Sequence, residues 1–179
     1  MAKIFTSGVW VGVGEDQSYA AQFQGLGTSR ISWGTPAETE TSSYAFEGTS
    51  TSAQIDGPPF VLGTFTHHNF PILIPFERFW ADLQVTVTLE DRTKREFPIR
   101  FTHFESPNRG PEAAWADVVE LPNVRVEKAV RIDGVECDML ITGFYWHGTE
   151  EPTPRFHSPE NDSNSADLHV QFTRYTGPR

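Results

Sequence analysis

Two short segments end a β-like alternation on groups that could hold a metal or move a proton. They are "GTFTHHNFPI" over Gly63–Ile72 and "FTHFESPN" over Phe101–Asn108. In each, a histidine follows a phenylalanine by two residues and an asparagine comes within a few residues more. Side chains two apart on a strand share a face, so His67 lies with Phe65 and His103 with Phe101. The two histidines are therefore expected to meet at one end of an apolar core. Glu105 falls in the phase of His103, which completes a donor set of two imidazoles and a carboxylate suited to zinc or iron. A simpler account needs neither a third ligand nor an open coordination position. Each histidine bonds a neighbouring loop carbonyl, and Asn69 and Asn108 hold turns through bonds to their own backbone. We adopt that account: Thr66, His67, Asn69, His103 and Asn108 are expected to be structural, with no metal or cofactor bound and no catalytic residue.

Other segments suggest binding. In "FYWHG", Phe144–Gly148, three consecutive aromatics cannot all face one core. Tyr145 should stand on the face opposite Phe144 and Trp146, where it could stack on a sugar ring or enter a protein contact. The segment from His147 to Asp167 reads as one long loop, and such loops either bind something or stay mobile. Its Pro152, Pro154 and Pro159 lower the entropy lost on ordering. Phe156, between Arg155 and His157, would be its apolar anchor on an adjoining subunit, and deleting residues 150–165 should leave the fold intact. Glu160, Asn161, Asp162, Asn164 and Asp167 could offer oxygen to calcium, but their spacing does not match the regular calcium loop, and a solvated loop accounts for them. Gly-x-Ser-x-Gly, His-Glu-x-x-His and a phosphate loop are all missing from the sequence.

The elements that must position these residues are strands. In "DLQVTVTLE", Leu83, Val85, Val87 and Leu89 alternate with Gln84, Thr86 and Thr88, as a strand with one wet face requires. A charged turn, "DRTKRE", leads to Phe97, Ile99 and Phe101 on one face, so Leu83 to Phe104 reads as a long hairpin, with Pro98 marking an edge or a bulge. Further strands are expected at Ile4–Val11, Ser43–Phe46, Phe60–His67, Ala116–Val119, Ala129–Ile132, Val135–Phe144 and Leu168–Tyr175. Asp133 and Gly134 supply a tight turn between two of them. Residues 35–43 and 48–59 read as polar connections. Apolar spacing of three and four is scarce, so the expected fold is all-β: a two-sheet antiparallel β-sandwich of jelly-roll type, built as one domain over residues 1–179 and filled largely by 14 phenylalanines.

Charge and composition narrow the partners. The net charge of −10, from 14 basic and 24 acidic residues, repels phosphate backbones and anionic lipid, and the only dense cations, at Asp91–Glu96, are flanked by acids. The single cysteine, Cys137, forms no intrachain disulfide and shares a phase with Val135, Met139 and Ile141, so it should be a small buried residue. No apolar run is long enough to span a bilayer as a helix, and the first residues do not read as a signal peptide.

Several blocks together resemble the bacterial choice-of-anchor K domain family, known also for a THxN motif. They are "GLGTSRISWGTP", "SSYAFEG", "PFVLGTFTHHN", "FTHFESPN", "DVVELPN" and "IDGVECDMLITGF", in the family's order and spanning Gly25 to Phe144. Thr66, His67 and Asn69 match the motif residue by residue. The resemblance implies an all-β domain of surface or exported proteins, with no assigned activity. The final "QFTRYTGPR" is not a sorting tail, so wall or membrane anchoring is not expected.

These features together suggest a non-catalytic structural or binding module, such as a subunit or decoration protein of an extracellular particle like a phage virion, with protein subunits as partners. A carbohydrate-binding adhesin using Tyr145 is the alternative, and a metal-dependent enzyme centred on His67 and His103 is a third reading.

Overall fold

A computed structural model describes residues 1–15, 23–73, 77–106, 116–122 and 125–177, with backbone only at 15 and 125–130. Among them run twelve strands and no helix. These are β1 Ala2–Glu15, β2 Arg30–Trp33, β3 Ser42–Gly48, β4 Ser50–Ala53, β5 Phe60–Asn69, β6 Arg78–Leu89, β7 Lys94–Phe104, β8 Ala116–Glu120, β9 Arg125–Ile132, β10 Val135–Tyr145, β11 Arg155–Pro159 and β12 Asp162–Arg174. They form two six-stranded sheets, ordered β11-β8-β7-β6-β1-β4 and β2-β3-β5-β12-β10-β9. The sheets are antiparallel and pack face to face as a β-sandwich.

Alternation decides which side chains enter the core. Along β6 every second residue, from Phe79 through Leu83, Val85 and Val87 to Leu89, is buried, while Gln84, Thr86 and Thr88 look outward. The hairpin partner β7 answers with Phe97, Ile99 and Phe101, in the register Leu83↔Ile99. Pro98 lies where β7 has β6 on one side only, since β8 pairs no further than Thr102 to Phe104, so its missing N–H breaks no ladder. Asp133 and Gly134 both have positive φ, 49° and 78°, and close the β9–β10 hairpin tightly. Rings hold the centre. Phe65 stacks on Phe101 across the sandwich with centroids 5.0 Å apart, and Trp10 meets both of them edge-on. Cys137 is fully buried, as its phase predicts.

Three strands were not legible in advance. β2, β4 and β11 are four, four and five residues long, too short for alternation to be read alone, and backbone pairing with a neighbour fixes them as strands. β11 overturns the expected long loop. Residues 155–159 pair with β8, and β12 begins at Asp162, six residues earlier than Leu168. Phe156 is correspondingly not an exposed anchor: it is fully buried, 4.5 Å from the stacked ring of Trp146 and 5.0 Å from Phe65. Deleting residues 150–165 would remove β11 and the start of β12, and with them part of the core.

Candidate functional site

One end of the core holds titratable groups from both sheets. Tyr44 on β3 and His67 on β5 are register partners in one sheet, and Trp33 on β2 stacks on the His67 ring at 5.6 Å. The other sheet brings His103 on β7 and Asp117 on β8, with Glu105 just past the end of β7. Phe79, the register partner of His103 on β6, stacks on its ring at 4.5 Å. Inward alternation delivers every one of these side chains to the gap between the sheets. His67, His103 and Asp117 are completely buried, and the side chain of Glu105 is 9% exposed.

The two imidazoles have opposite surroundings. His103 Nδ1 lies 2.5 Å from the Tyr44 hydroxyl and Nε2 lies 3.0 Å from Glu105 Oε2. Asp117 Oδ2 is 3.4 Å from the same Nε2, a distance for charge attraction rather than a good hydrogen bond, and Asp117 Oδ1 accepts the Ser106 N–H at 2.8 Å. Burial alone would lower the pKa of His103, but the two carboxylates outweigh it and raise it to about 9. His103 is thus a cation at neutral pH, with Nδ1–H donating to Tyr44 and Nε2–H to Glu105. Burial pushes the Glu105 carboxyl up, as does the Asp117 charge, against the pull of His103. Burial and the same two carboxylates push the Tyr44 phenol well above its ordinary value.

His67 is the exception. Neither ring nitrogen has a hydrogen-bond partner among the described residues. Burial, followed by the charge of His103, holds its pKa well below the ordinary value, so the ring is neutral. The expectation that each histidine bonds a loop carbonyl is therefore corrected on both counts. His103 bonds side chains, and His67 has no hydrogen-bond partner among the described residues, where aromatic rings surround it: Trp33, Tyr44 and His103 all lie within 5.6 Å of its centroid.

The remaining motif residues divide by face. Thr66 points outward and shares a hydrogen bond with Ser165 on β12 at 2.8 Å. Asn69 was expected to hold a local turn. Instead it is fully buried, and its Nδ2 donates across the sandwich to the Ser158 carbonyl on β11 at 2.9 Å. Ser158 is the register partner of Asp117, so Asn69 braces the strand next to the cluster. Asn108 lies outside the described residues. Tyr145 does stand opposite Phe144, half-buried, with one ring face stacked on His169 at 3.9 Å. The oxygens considered for calcium are spread over the β11–β12 turn, at Glu160 and Asn161, and along β12, where Asn164 donates to Ser158 and Asp167 accepts from Thr64.

Asp117, Tyr44 and Trp33 were missed by sequence reasoning. A signal existed for each. Asp117 shares the inward phase of Val119 in "ADVVE", but the adjacent Val118 obscures which phase is inward. Tyr44 shares a phase with Phe46, and Trp33 with Ile31, in strands too short to read alone.

Comparison with protein-family models and with curated proteins returns no match. The choice-of-anchor K resemblance accordingly rests on the motif blocks themselves.

Proposed function

We propose that the protein is a non-catalytic structural or binding module that acts through its outer surface. The observation that carries this reading is an apolar stripe along β1. Phe5, Val9 and Val11 are 45%, 37% and 45% exposed, on a face where the β6 partners of Phe5 and Val9 are Thr88 and Gln84. Apolar side chains repeated along one outward strand face suit a protein contact. The net charge of −10 disfavours nucleic acid and anionic lipid as partners. Two-sheet sandwiches serve in viral capsids and in lectins, and an extracellular particle such as a phage virion is the assembly we favour, by analogy of fold.

A non-catalytic role is supported by the burial of the histidine cluster, because general acid or base chemistry needs a group within hydrogen-bond reach of a substrate. The adhesin reading is weakened by His169, which covers one face of the Tyr145 ring. A variant combining Phe5→Ser, Val9→Ser and Val11→Ser tests the proposal. It should fold as the parent does by circular dichroism, yet lose incorporation into its native assembly at least about tenfold, as loss of an apolar contact predicts. Undiminished incorporation would sink the reading. Glycan binding abolished by Tyr145→Ala would favour the adhesin.

A further inference from the structure

The cluster between the sheets has a feature that hydrogen bonding leaves unexplained: a fully buried imidazole with both nitrogens unpaired among the described residues, beside two carboxylates and a second imidazole. Leaving a buried polar group unsatisfied is costly, and native folds rarely do so. Donor atoms of His67, His103 and Asp117 lie within 4.8 Å of one another. The gap from His103 Nε2 to Asp117 Oδ2 is 3.4 Å and that to Glu105 Oε2 is 3.0 Å. Ligands held about 2.0–2.2 Å from one tetrahedral zinc ion sit about 3.3–3.6 Å apart, which the 3.4 Å gap matches and which the remaining donors reach with a small contraction.

We propose that His67, His103 and Asp117 form a divalent-metal site, with zinc the metal their donor types suit, which ties one sheet of the sandwich to the other, and that Glu105 stands beside it as a neighbouring carboxylate. His67 comes from β5 in one sheet, and His103 and Asp117 come from β7 and β8 in the other. Binding requires His103 to release its Nε2 proton to solvent as the ion takes its place, and the two neutral imidazoles with the Asp117 and Glu105 carboxylates then balance the charge of one divalent cation. Metal ligands are normally oriented by a further layer of hydrogen bonds, and that layer is present. The Tyr44 oxygen accepts from His103 Nδ1–H, leaving Nε2 for the metal, and the Ser106 N–H holds Asp117 Oδ1, leaving Oδ2. Its three protein donors are completely buried, which fits a structural role rather than a catalytic one. The site stands independently of the β1 contact surface.

The test is metal content and metal response of the whole chain. The protein is unfolded in denaturant with a chelator, then refolded with and without zinc, and separately with cobalt(II), manganese(II) or iron(II). Elemental analysis should find one zinc per chain after dialysis. Zinc about a hundredfold above its Kd should raise Tm by roughly 5–10 °C. Cobalt should give the visible absorption of a tetrahedral site. His67→Phe, which keeps a ring against Trp33, and Asp117→Asn should each remove the metal and the Tm response while the β-sheet spectrum persists. Wild-type protein that holds no stoichiometric metal and whose Tm moves with none of the four ions overturns the proposal. So does zinc retained equally by a folded His67→Phe variant, which would locate the metal elsewhere.

Discussion

His67 and His103 lie edge to face with ring centroids 5.3 Å apart and planes at 86°, although they come from opposite sheets and are separated by 36 residues of sequence. The pair is asymmetric: one ring is ringed by hydrogen-bonding partners, the other by aromatic faces. That asymmetry governs the response to pH in the metal-free protein. The raised pKa of His103, about 9 against 6.5, adds stability that is complete below pH 6.5 and is lost as pH rises through about 9. His67 acts in the other direction. Its folded pKa lies well below 6.5, so below that pH the unfolded chain takes up a proton that the fold refuses, and stability falls as acid is added.

Chelator-treated protein should therefore be most stable near pH 6.5, with roughly 3 kcal/mol lost toward alkaline pH from His103 alone. Urea denaturation midpoints followed from about pH 5 to about pH 9.5 check this. A midpoint that climbs steadily through pH 9 would contradict the charged state assigned to His103.

Replacing Tyr44 by Phe keeps the ring in the core but removes the oxygen at His103 Nδ1. A buried N–H then has no acceptor, and the expected loss of stability is about 1–3 kcal/mol. Equilibrium unfolding of the variant measures it. Ser165→Ala, at the outward-facing bond with Thr66, is the control and should cost less than about 1 kcal/mol.

Phe156→Ala distinguishes a core residue from a surface anchor. Complete burial against Phe65, Phe144 and Trp146 predicts a cost of about 3–5 kcal/mol. A variant as stable as the parent would return Phe156 to the surface role first expected of it.

Much of the fold was legible because a strand with one buried face writes its period directly into the chain. The alternation of Leu83, Val85, Val87 and Leu89 locates β6 and its inward face without any neighbour being known. The Asp133–Gly134 turn is equally local, since positive φ selects its residue types. The shared phases of His67 with Phe65 and of His103 with Phe101 placed both histidines inward, and Glu105 beside His103. Those are statements about one strand at a time.

What surrounds the histidines is not a local property. Asp117 reaches His103 because β8 pairs with β7, and Tyr44 reaches it across the gap between the sheets, 59 residues away in the chain. Asn69 finds its acceptor on β11, a strand whose own sequence carries almost no strand signal. Phe156 was assigned to the surface because proline and charge flank it, and only its pairing opposite Val119 turned the ring into the core. Periodicity tells each side chain which way to face. Which side chains then meet depends on sheet order and register, and these are set by the packing of the whole sandwich.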